Sequence, residues 1–280
     1  MMSKHVCKSF MVSVGILLSL GWGAVQAEGL VFTSPPRESK AVGEKLYGPV
    51  AAYMSQVLGV KVTYKHPGNF LTYARDMRND AYDIVFDGPQ FISWRQAHLK
   101  SEAVVKLQGT ITLFLVVRAN DKSISALDDL IGKRICSPPP PNLAALIALD
   151  KFRNPVRQPV MVGVKGGMKG VLKAYQSGRC DAAVFRDTFF MKKLKPEVRD
   201  SLRVLYRSKS MPNQGMTTSS RISAADRAKL QLALTSGKGL EVTAPLIQRF
   251  GGKLVKAFVP TSHAEYEGYN SLIEGVIFGW

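Results

Sequence analysis

Polar and charged side chains follow several short apolar segments at the points where those segments end. Ser34 and Arg37 come after "LVFT", Asp87 comes after "YDIVF", and Arg186 and Asp187 come after "CDAAVF". A guanidinium group can hold a carboxylate through two parallel hydrogen bonds, and a hydroxyl group can donate to a ligand. If the apolar segments are strands of open α/β sheets, these side chains lie at the carboxyl edges, where such proteins bind ligands. The sequence therefore predicts a binding site for a small polar ligand.

The stretch Asp87-Gly88-Pro89-Gln90 is the strongest local candidate for that site. Gly88 permits close approach of the backbone, and Pro89 suits the first turn of a helix. Two interpretations of Asp87 stay open. Its carboxylate caps the following helix, or it faces a cationic or hydroxylated ligand.

The other candidates have structural alternatives as well. Arg37 either clamps a ligand carboxylate or belongs to a surface turn with Glu38. Tyr47 either stacks on the ligand and bonds it through the hydroxyl, or packs in the core. Arg186 and Asp187 either face the cleft or form a salt bridge that braces it.

Catalytic and metal-binding patterns are absent from the sequence. Beyond the first 27 residues the histidines are His66, His98 and His263, with no pair four residues apart and no cysteine nearby in sequence. The chain contains no G-x-S-x-G, H-E-x-x-H or phosphate-binding loop motif. We therefore expect no catalytic residues, no metal and no cofactor, and no enzyme.

The N-terminal segment, residues 1–27, has the pattern of a secretory signal peptide. Lys4 and Lys8 precede the apolar run "FMVSVGILLSLGWGAV", and small residues stand at the cleavage position after Ala27. A retained membrane anchor is the alternative, and the shortness of the apolar run disfavours it. The pattern predicts export to the periplasm.

The exported chain is strongly basic. It keeps 36 lysines and arginines against 21 aspartates and glutamates, a formal charge of +15. Such a charge attracts anionic partners, but export argues against nucleic acid. The basic residues are scattered along the chain, which indicates a solvated surface or, alternatively, a surface that binds a protein partner.

Alternating apolar patterns predict two α/β units. The first comprises strands at 30–33, 60–65 and 82–86 with helices at 43–58 and 69–80, and Gly59 ends the first helix. A second unit begins near residue 109, and chain is left over after it. We predict a bilobed protein with lobe one at 28–108, lobe two at 109–208, and a return of 209–280 to lobe one.

Cys136 and Cys180 remain after export, in a compartment where disulfides form. If their strands pair in register, the two cysteines lie at opposite ends, roughly 10 Å apart by strand rise. A disulfide needs Cα atoms within about 7 Å. We therefore expect two free thiols.

Five stretches resemble one family of proteins. They are "YGPVAAYMSQVLG", "YDIVFDGPQF", "LDDLIGKRI", "VLKAYQSGRCDAAV" and "SMPNQG". In order and spacing they resemble periplasmic solute-binding proteins of phosphate, phosphite and phosphonate ABC transporters, which have the type 2 periplasmic-binding-protein fold. The resemblance implies two mixed sheets flanked by helices, with a cleft that closes on a small-molecule ligand. It also implies an ABC permease partner in the inner membrane, a monomer, and a ligand contact from Asn213.

Three positions depart from the pattern expected of phosphonate binders. Where the family holds the anion at a helix start, this chain has "SPPPPN", which leaves only Ser137 and Asn142 as polar side chains. Met168 stands where the family tends to have a histidine, and Asp87 stands where an apolar residue is usual. The departures predict that tetrahedral oxyanions are poor ligands here.

Three other functions use the same fold. A periplasmic sensing or accessory protein would bind a protein partner, an enzyme would need a nucleophile and base, and a transcription-factor effector domain would need a DNA-binding segment. The signal peptide and the lack of catalytic motifs favour the first of these as the alternative to solute binding.

Overall fold

The computed structural model describes residues 29–253 and 255–274. The predicted signal peptide, residues 1–27, lies outside the described residues. No helix within these ranges is both long enough and apolar enough to cross a membrane.

The strands in the described part of the chain are short and the helices alternate with them. The strands are β1 (Leu30–Thr33), β2 (Val62–Tyr64), β3 (Ile84–Asp87), β4 (Glu102–Leu107), β5 (Thr110–Ile111), β6 (Leu113–Arg118), β7 (Arg134–Ser137), β8 (Val160–Gly163), β9 (Ala182–Arg186), β10 (Leu202–Arg207), β11 (Met211–Pro212), β12 (Gly215–Thr218) and β13 (Phe258–Pro260). The helices are α1 (Lys40–Leu58), α2 (Phe70–Arg78), α3 (Pro89–Leu99), α4 (Leu143–Leu149), α5 (Gly167–Gln176), α6 (Asp187–Lys192), α7 (Pro196–Asp200), α8 (Ala224–Thr235) and α9 (Gly237–Gly251). Short 3-10 helices cover Leu127–Leu130, His263–Tyr266 and Tyr269–Leu272.

Local sequence signals account for several helix ends. The side chain of Ser39 accepts a hydrogen bond from the backbone of Val42 and caps α1. Gly59 ends α1 in the left-handed conformation with φ 70°, and its N–H donates to the Ser55 carbonyl oxygen. Pro89 stands in the first turn of α3, where its missing N–H is not needed. These ends confirm the predicted start of α3 and end of α1.

The first sheet has the order β13-β4-β12-β3-β1-β2. β1 pairs in parallel with both β2 and β3, as the alternation of strands and helices predicted. β12 runs antiparallel between β3 and β4, so the late part of the chain returns to this sheet. β4, "EAVVKL", was not among the predicted strands.

The second sheet has the order β10-β6-β9-β7-β8. β7 pairs in parallel with β8 and β9, whereas β6 is antiparallel to β9 and β10. Two mixed sheets flanked by helices confirm the predicted fold class. The strands fall on the predicted sides of the lobe boundaries, and the boundaries themselves remain a prediction.

The chain crosses between the sheets at two neighbouring places. β5 leads from the first sheet into the second and β11 leads back, and the two pair antiparallel. Met211 lies opposite Ile111, and Pro212 lies opposite Thr110. We call β5 and β11 the crossing strands.

Apolar packing joins the two sheets near the crossing strands. One buried cluster lies on the first sheet between α1, α8 and α9. A second cluster contains Val85 and Phe91 from the first-sheet side, Ile111 and Met211 from the crossing strands, and Leu146 from the second-sheet side. The two sheets therefore share an apolar core near the crossing strands.

The two cysteines form a disulfide, so the expectation of free thiols is wrong. Their Cα atoms lie 5.7 Å apart. The assumed register was sound, since Cys136 pairs with Ala183, but Cys180 precedes β9 and does not continue its line. The chain enters β9 from α5, which packs on the face of the sheet, and the N–H of Arg179 still bonds Ala174 in that helix. Cys180 consequently lies over the sheet beside Cys136, in a buried cluster with α5.

Candidate ligand-binding cleft

Most of the predicted site residues lie where strands of the two sheets end. Asp87 ends β3, Ser137 ends β7, and Arg186 ends β9. Ser34 directly follows β1, and Asn213 lies between β11 and β12. This arrangement places candidate side chains on both sides of the cleft between the sheets.

Direct hydrogen bonds between described residues cross that cleft. The Gln90 side chain, from α3 beside the first sheet, donates to the Pro141 carbonyl oxygen at 3.2 Å. The Arg186 guanidinium, from the second sheet, donates to the Phe250 carbonyl oxygen of α9 at 3.4 Å. The two edges are therefore in contact in this structure.

Asp87 is fully buried and paired. Its carboxylate accepts two bonds from the Arg95 guanidinium, at 2.7 and 2.9 Å, and another from the Tyr73 hydroxyl. Arg95 also bonds the Thr217 hydroxyl at 2.7 and 3.1 Å. Burial lowers the pKa of Arg95, but the neighbouring Asp87 outweighs this effect and the net shift is upward. We call Tyr73, Asp87, Arg95 and Thr217 the buried network.

The capping interpretation of Asp87 is wrong, and its ligand contact stays a prediction that the pairing with Arg95 does not support. The residue at the start of α3 is Gly88, and no side chain caps this helix, because the Asp87 carboxylate turns to Arg95 instead. Since Arg95 balances its charge, Asp87 gives no reason for the cleft to repel an anion.

The proline-rich loop uses its polar groups internally. The Ser137 hydroxyl donates to the Pro138 carbonyl oxygen at 2.9 Å and is fully buried. The backbone N–H of Asn142 donates to the Pro139 carbonyl oxygen at 3.1 Å. Together with the Gln90–Pro141 bond, these contacts hold the loop against α3.

Asn142 is a helix cap. Its side-chain oxygen accepts the Ala144 N–H at 3.0 Å, and the residue is exposed. The cap gives Asn142 a structural role, and its ligand contact stays a prediction. Met168, where the resemblance expected a histidine, is partly buried against the two apolar clusters of the second sheet.

Ser34 and Tyr47 lie together at the end of β1. The Ser34 hydroxyl is buried and lies 3.4 Å from the Tyr64 hydroxyl. Tyr47 is fully buried and stacks on Tyr64, with the ring centres 4.9 Å apart. Burial is the main reason that the pKa of Tyr47 is raised, with the Arg37 charge opposing it. Core packing accounts for the Tyr47 ring, but its buried hydroxyl has no hydrogen-bond partner among the described residues, and its ligand contact stays a prediction.

Arg37 points to neutral partners. Its guanidinium donates to the Gln214 side-chain oxygen at 2.7 Å and lies 5.2 Å from the centre of the Phe250 ring. Among the described residues it forms no ion pair. Glu38 instead lies 2.9 Å from Arg249 of α9, so the turn does not join Arg37 to Glu38.

Arg186 is the least satisfied cation of the cleft. It is partly buried, and its two hydrogen bonds, to Phe250 and to the Asn213 side-chain oxygen, are both 3.4 Å long. Its buried Nε has no partner within the described ranges. Burial lowers the pKa of Arg186, and the neighbouring Asp187 offsets this only in part.

Asp187 does not pair with Arg186 in a salt bridge. Its carboxylate accepts the Thr188 N–H at 2.7 Å, and its own N–H bonds the Thr112 carbonyl oxygen at 2.9 Å. The bracing salt bridge considered for these two residues is therefore wrong.

Asn213 holds the return crossing in place. Its side chain donates to the Gln108 carbonyl oxygen at 3.2 Å and accepts the Gln214 N–H at 2.9 Å. Its carbonyl oxygen accepts a bond from the Tyr266 hydroxyl at 2.6 Å. The residue lies beside Arg186, at the point where the chain re-enters the first sheet.

Sequence reasoning missed Arg95, Gln214 and Phe250. Arg95 lies in α3, and Asp87 ends the strand before that helix, so the sequence gives no helical spacing that would have paired them. Gln214 and Phe250 come from distant parts of the chain and had no local signal. Within the described residues no group of three or more His, Cys, Asp or Glu side chains could hold a metal ion.

A sequence model of a known family matches residues 32–266 of this chain. Its description is "ABC transporter, phosphonate, periplasmic substrate-binding protein". The chain belongs to this family. A search of curated proteins found no match.

Solved structures of low sequence identity share the fold of this family member. XAC2383 from Xanthomonas citri bound to ATP has a TM-score of 0.66 at 15% identity, with 88% of this chain and 96% of that chain covered. PhnD1 from Prochlorococcus marinus in complex with methylphosphonate has a TM-score of 0.62 at 16% identity, with coverage of 87% and 96%. A binding-protein component of an ABC phosphonate transporter from Pseudomonas aeruginosa has a TM-score of 0.55 at 15% identity, with coverage of 85% and 82%.

The family assignment confirms the predicted resemblance and general function. The chain is a phosphonate-binding-like, periplasmic substrate-binding component of an ABC transporter. The family binds small-molecule ligands, works with an ABC permease, and is a transport family instead of an enzyme family.

Proposed function

We propose that this chain captures a small solute in the cleft between the two sheets and presents it to its permease by closing around it. The observation that carries the proposal is the position of Arg186. It ends a strand of the second sheet and contacts the Phe250 carbonyl oxygen on the first-sheet side. The contact between Arg186 and Phe250 needs the two sides to be close together, so it distinguishes a closed cleft from an open one.

The crossing strands support the proposed motion. Only β5 and β11 carry the described chain from one sheet to the other, and they pair through two residues each. Binding proteins of two lobes close by rotation about such short connections, and the ligand stabilises the closed population. We propose residues 28–108 with 209–280, and residues 109–208, as the two bodies that move.

Arg37 and Arg186 are the proposed ligand contacts, with Ser34, Gln90 and Asn213 around them. They come from both sides of the cleft, and neither guanidinium has a carboxylate partner among the described residues. A ligand that contacts both would bind the closed state better than the open one. That difference in affinity is what drives closure.

The test uses the protein from residue 28 onward, a library of periplasmic solutes, and two readouts. We expect at least one solute to raise the melting temperature and to reduce the radius of gyration in small-angle X-ray scattering. Arg186→Gln should abolish both responses. Lys122→Gln removes an exposed charge at the opposite edge of the second sheet and should leave both unchanged. A flat response of the unaltered protein to the whole library would contradict the proposal.

A second candidate function is recognition of an acidic protein partner. Residues 109–208 hold 18 lysines and arginines against 8 aspartates and glutamates, so they carry +10 of the +15 total. A partner captured on this surface should bind at low salt and dissociate at high salt, because exposed charges are screened. Capture that does not change with salt would contradict this second candidate.

A further inference from the structure

We infer that the solute is a small organic carboxylate whose anionic group pairs with the Arg186 guanidinium. The inference rests on the proposed function, because it names the ligand class of the same cleft. It depends on two observations: the proline-rich loop has few backbone N–H donors, and Arg37 and Arg186 have no ion pair among the described residues.

Within the described residues, the loop at positions 138–142 offers no free backbone N–H group to a tetrahedral oxyanion. Prolines occupy positions 138–141 and supply no N–H. The Asn142 N–H and the Ser137 hydroxyl are already bonded within the loop. A phosphonate presents three oxygens and would find few donors there.

On the first-sheet side, the protein itself neutralises the carboxylate of Asp87. Asp87 is paired with Arg95 and Glu38 is paired with Arg249, so among the described residues the charges left without an ion pair at the cleft are Arg37, Arg186 and Asp187. Two cations against one carboxylate leave a net positive cleft. An anion is the charge type that this balance accepts.

The geometry of Arg186 selects a planar anion. The Nε and Nη2 atoms form one edge of the guanidinium, and two parallel bonds from that edge fit the two oxygens of a carboxylate. Among the described residues Nε has no hydrogen-bond partner, and Nη2 makes only the 3.4 Å contact with Asn213. Because Nε is buried in this structure, a carboxylate reaches this edge when the two sides of the cleft separate, at the loss of one long hydrogen bond to a neutral group.

Burial of the Nε–Nη2 edge of Arg186 is energetically unfavourable while no ligand is bound. A partly buried guanidinium that lacks a carboxylate loses hydration without full compensation, and the lowered pKa of Arg186 has this cause. Pairing with a ligand carboxylate restores the lost interaction. The cost in the free state is thus recovered on binding.

The test compares matched probes by isothermal titration calorimetry. Within each of three sets the organic group is constant and only the head group changes. The sets are acetate, acetamide and methylphosphonate; succinate, succinamide and ethane-1,2-diphosphonate; benzoate, benzamide and phenylphosphonate. We expect the carboxylate of at least one set to bind, and its amide and phosphonate to bind at least about tenfold more weakly.

The outcomes separate this inference from the proposed function. A phosphonate or amide that binds as tightly as its matched carboxylate overturns the carboxylate assignment and leaves solute capture intact. Silence in all three sets, with a response to another solute in the library, also overturns the assignment alone. Silence in the sets and in the library contradicts both.

Three variants test the role of Arg186 with the best carboxylate. Arg186→Gln should weaken binding by about 100-fold, and Arg186→Lys by about tenfold, because lysine keeps the charge without the planar fork. Lys122→Gln should stay within about twofold, since it changes net charge only at a distance. Arg186→Lys that binds as tightly as the unaltered protein would overturn the bidentate pairing, and an unaffected Arg186→Gln would overturn the site.

Discussion

Arg95 and Arg186 are two arginines beside the cleft that differ in how fully the protein satisfies their guanidinium groups. Each lies close to the carboxyl end of a strand, in or beside the cleft. Arg95 is buried and bonds a carboxylate twice, a tyrosine hydroxyl and a threonine hydroxyl. Arg186 is partly buried and has two long bonds to neutral oxygens.

The difference separates a structural cation from one that is available to a ligand. A fully satisfied buried pair fixes one arrangement of the elements around it, and removal of one partner strands a charge. A cation with weak partners can change them without disrupting the fold. The buried network therefore belongs to the first sheet, and the available cation belongs to the second.

The largest expected effect breaks the buried network from its acidic side. Asp87→Asn leaves Arg95 buried without a carboxylate and should lower the free energy of unfolding by about 3–5 kcal/mol. Urea unfolding followed by circular dichroism measures it. The double variant Asp87→Leu, Arg95→Met removes both charges and should recover part of the loss. A stable Asp87→Asn protein would show that Arg95 is as adaptable as Arg186.

Loss of the disulfide should destabilise the second sheet and leave the ligand affinity of the Arg186 site unchanged. Cys136→Ala with Cys180→Ala opens a connection between residues 44 positions apart, and should cost about 2–4 kcal/mol. Urea unfolding gives the loss, and titration with the best ligand should give an unchanged affinity at a temperature where the variant is folded. A lost affinity would mean that the cleft depends on second-sheet rigidity more than on Arg186.

Asn142→Ala tests whether the proline-rich loop contributes a ligand contact or only a helix cap. We expect a loss of about 1 kcal/mol in the free energy of unfolding and no change in affinity, because its side chain bonds Ala144. Asn142→Asp should keep most of the stability, since aspartate caps equally well. An affinity change that exceeds the stability change would return Asn142 to the ligand site.

The smallest expected effect concerns Asp76, a carboxylate on the buried side of α2. Desolvation raises its pKa, but the hydrogen bond and charge of Arg75, with Lys65, lower it overall. Its stabilising contribution is complete above the ordinary aspartate pKa of about 3.9, and is lost as pH falls from there through the lowered pKa. Asp76→Asn should flatten the fall in melting temperature below about pH 4. An unchanged acid profile would assign that loss to other groups.

Strand and helix order could be predicted from the sequence where a pattern is local. The run "LVFT", the glycine after α1 and the proline that begins α3 each gave the correct element or end. β4 was missed because "EAVVKL" lies between a helix and another apolar run without turn residues of its own. Its place is set by β12 and β13, which return from the far end of the chain.

The candidate site was predictable in outline and less so in its details. Strand ends placed Ser34, Asp87 and Arg186 at the cleft, because that follows from sheet topology alone. The pairing of Asp87 with Arg95 depends on which way a helix face turns. The disulfide depends on the path from α5 into β9, which strand register does not describe.

The most direct test of the account is a paired measurement on the ligand-free protein. The free energies of unfolding of Arg95→Gln and Arg186→Gln are compared with that of the unaltered protein by urea titration. We predict a loss of about 3–5 kcal/mol for Arg95→Gln, and no loss or a small gain for Arg186→Gln, because of these two arginines Arg95 alone has a carboxylate partner among the described residues. Comparable losses of unfolding free energy in both variants would show that Arg186 stabilises the fold, and would contradict the claim that its guanidinium is available to a ligand.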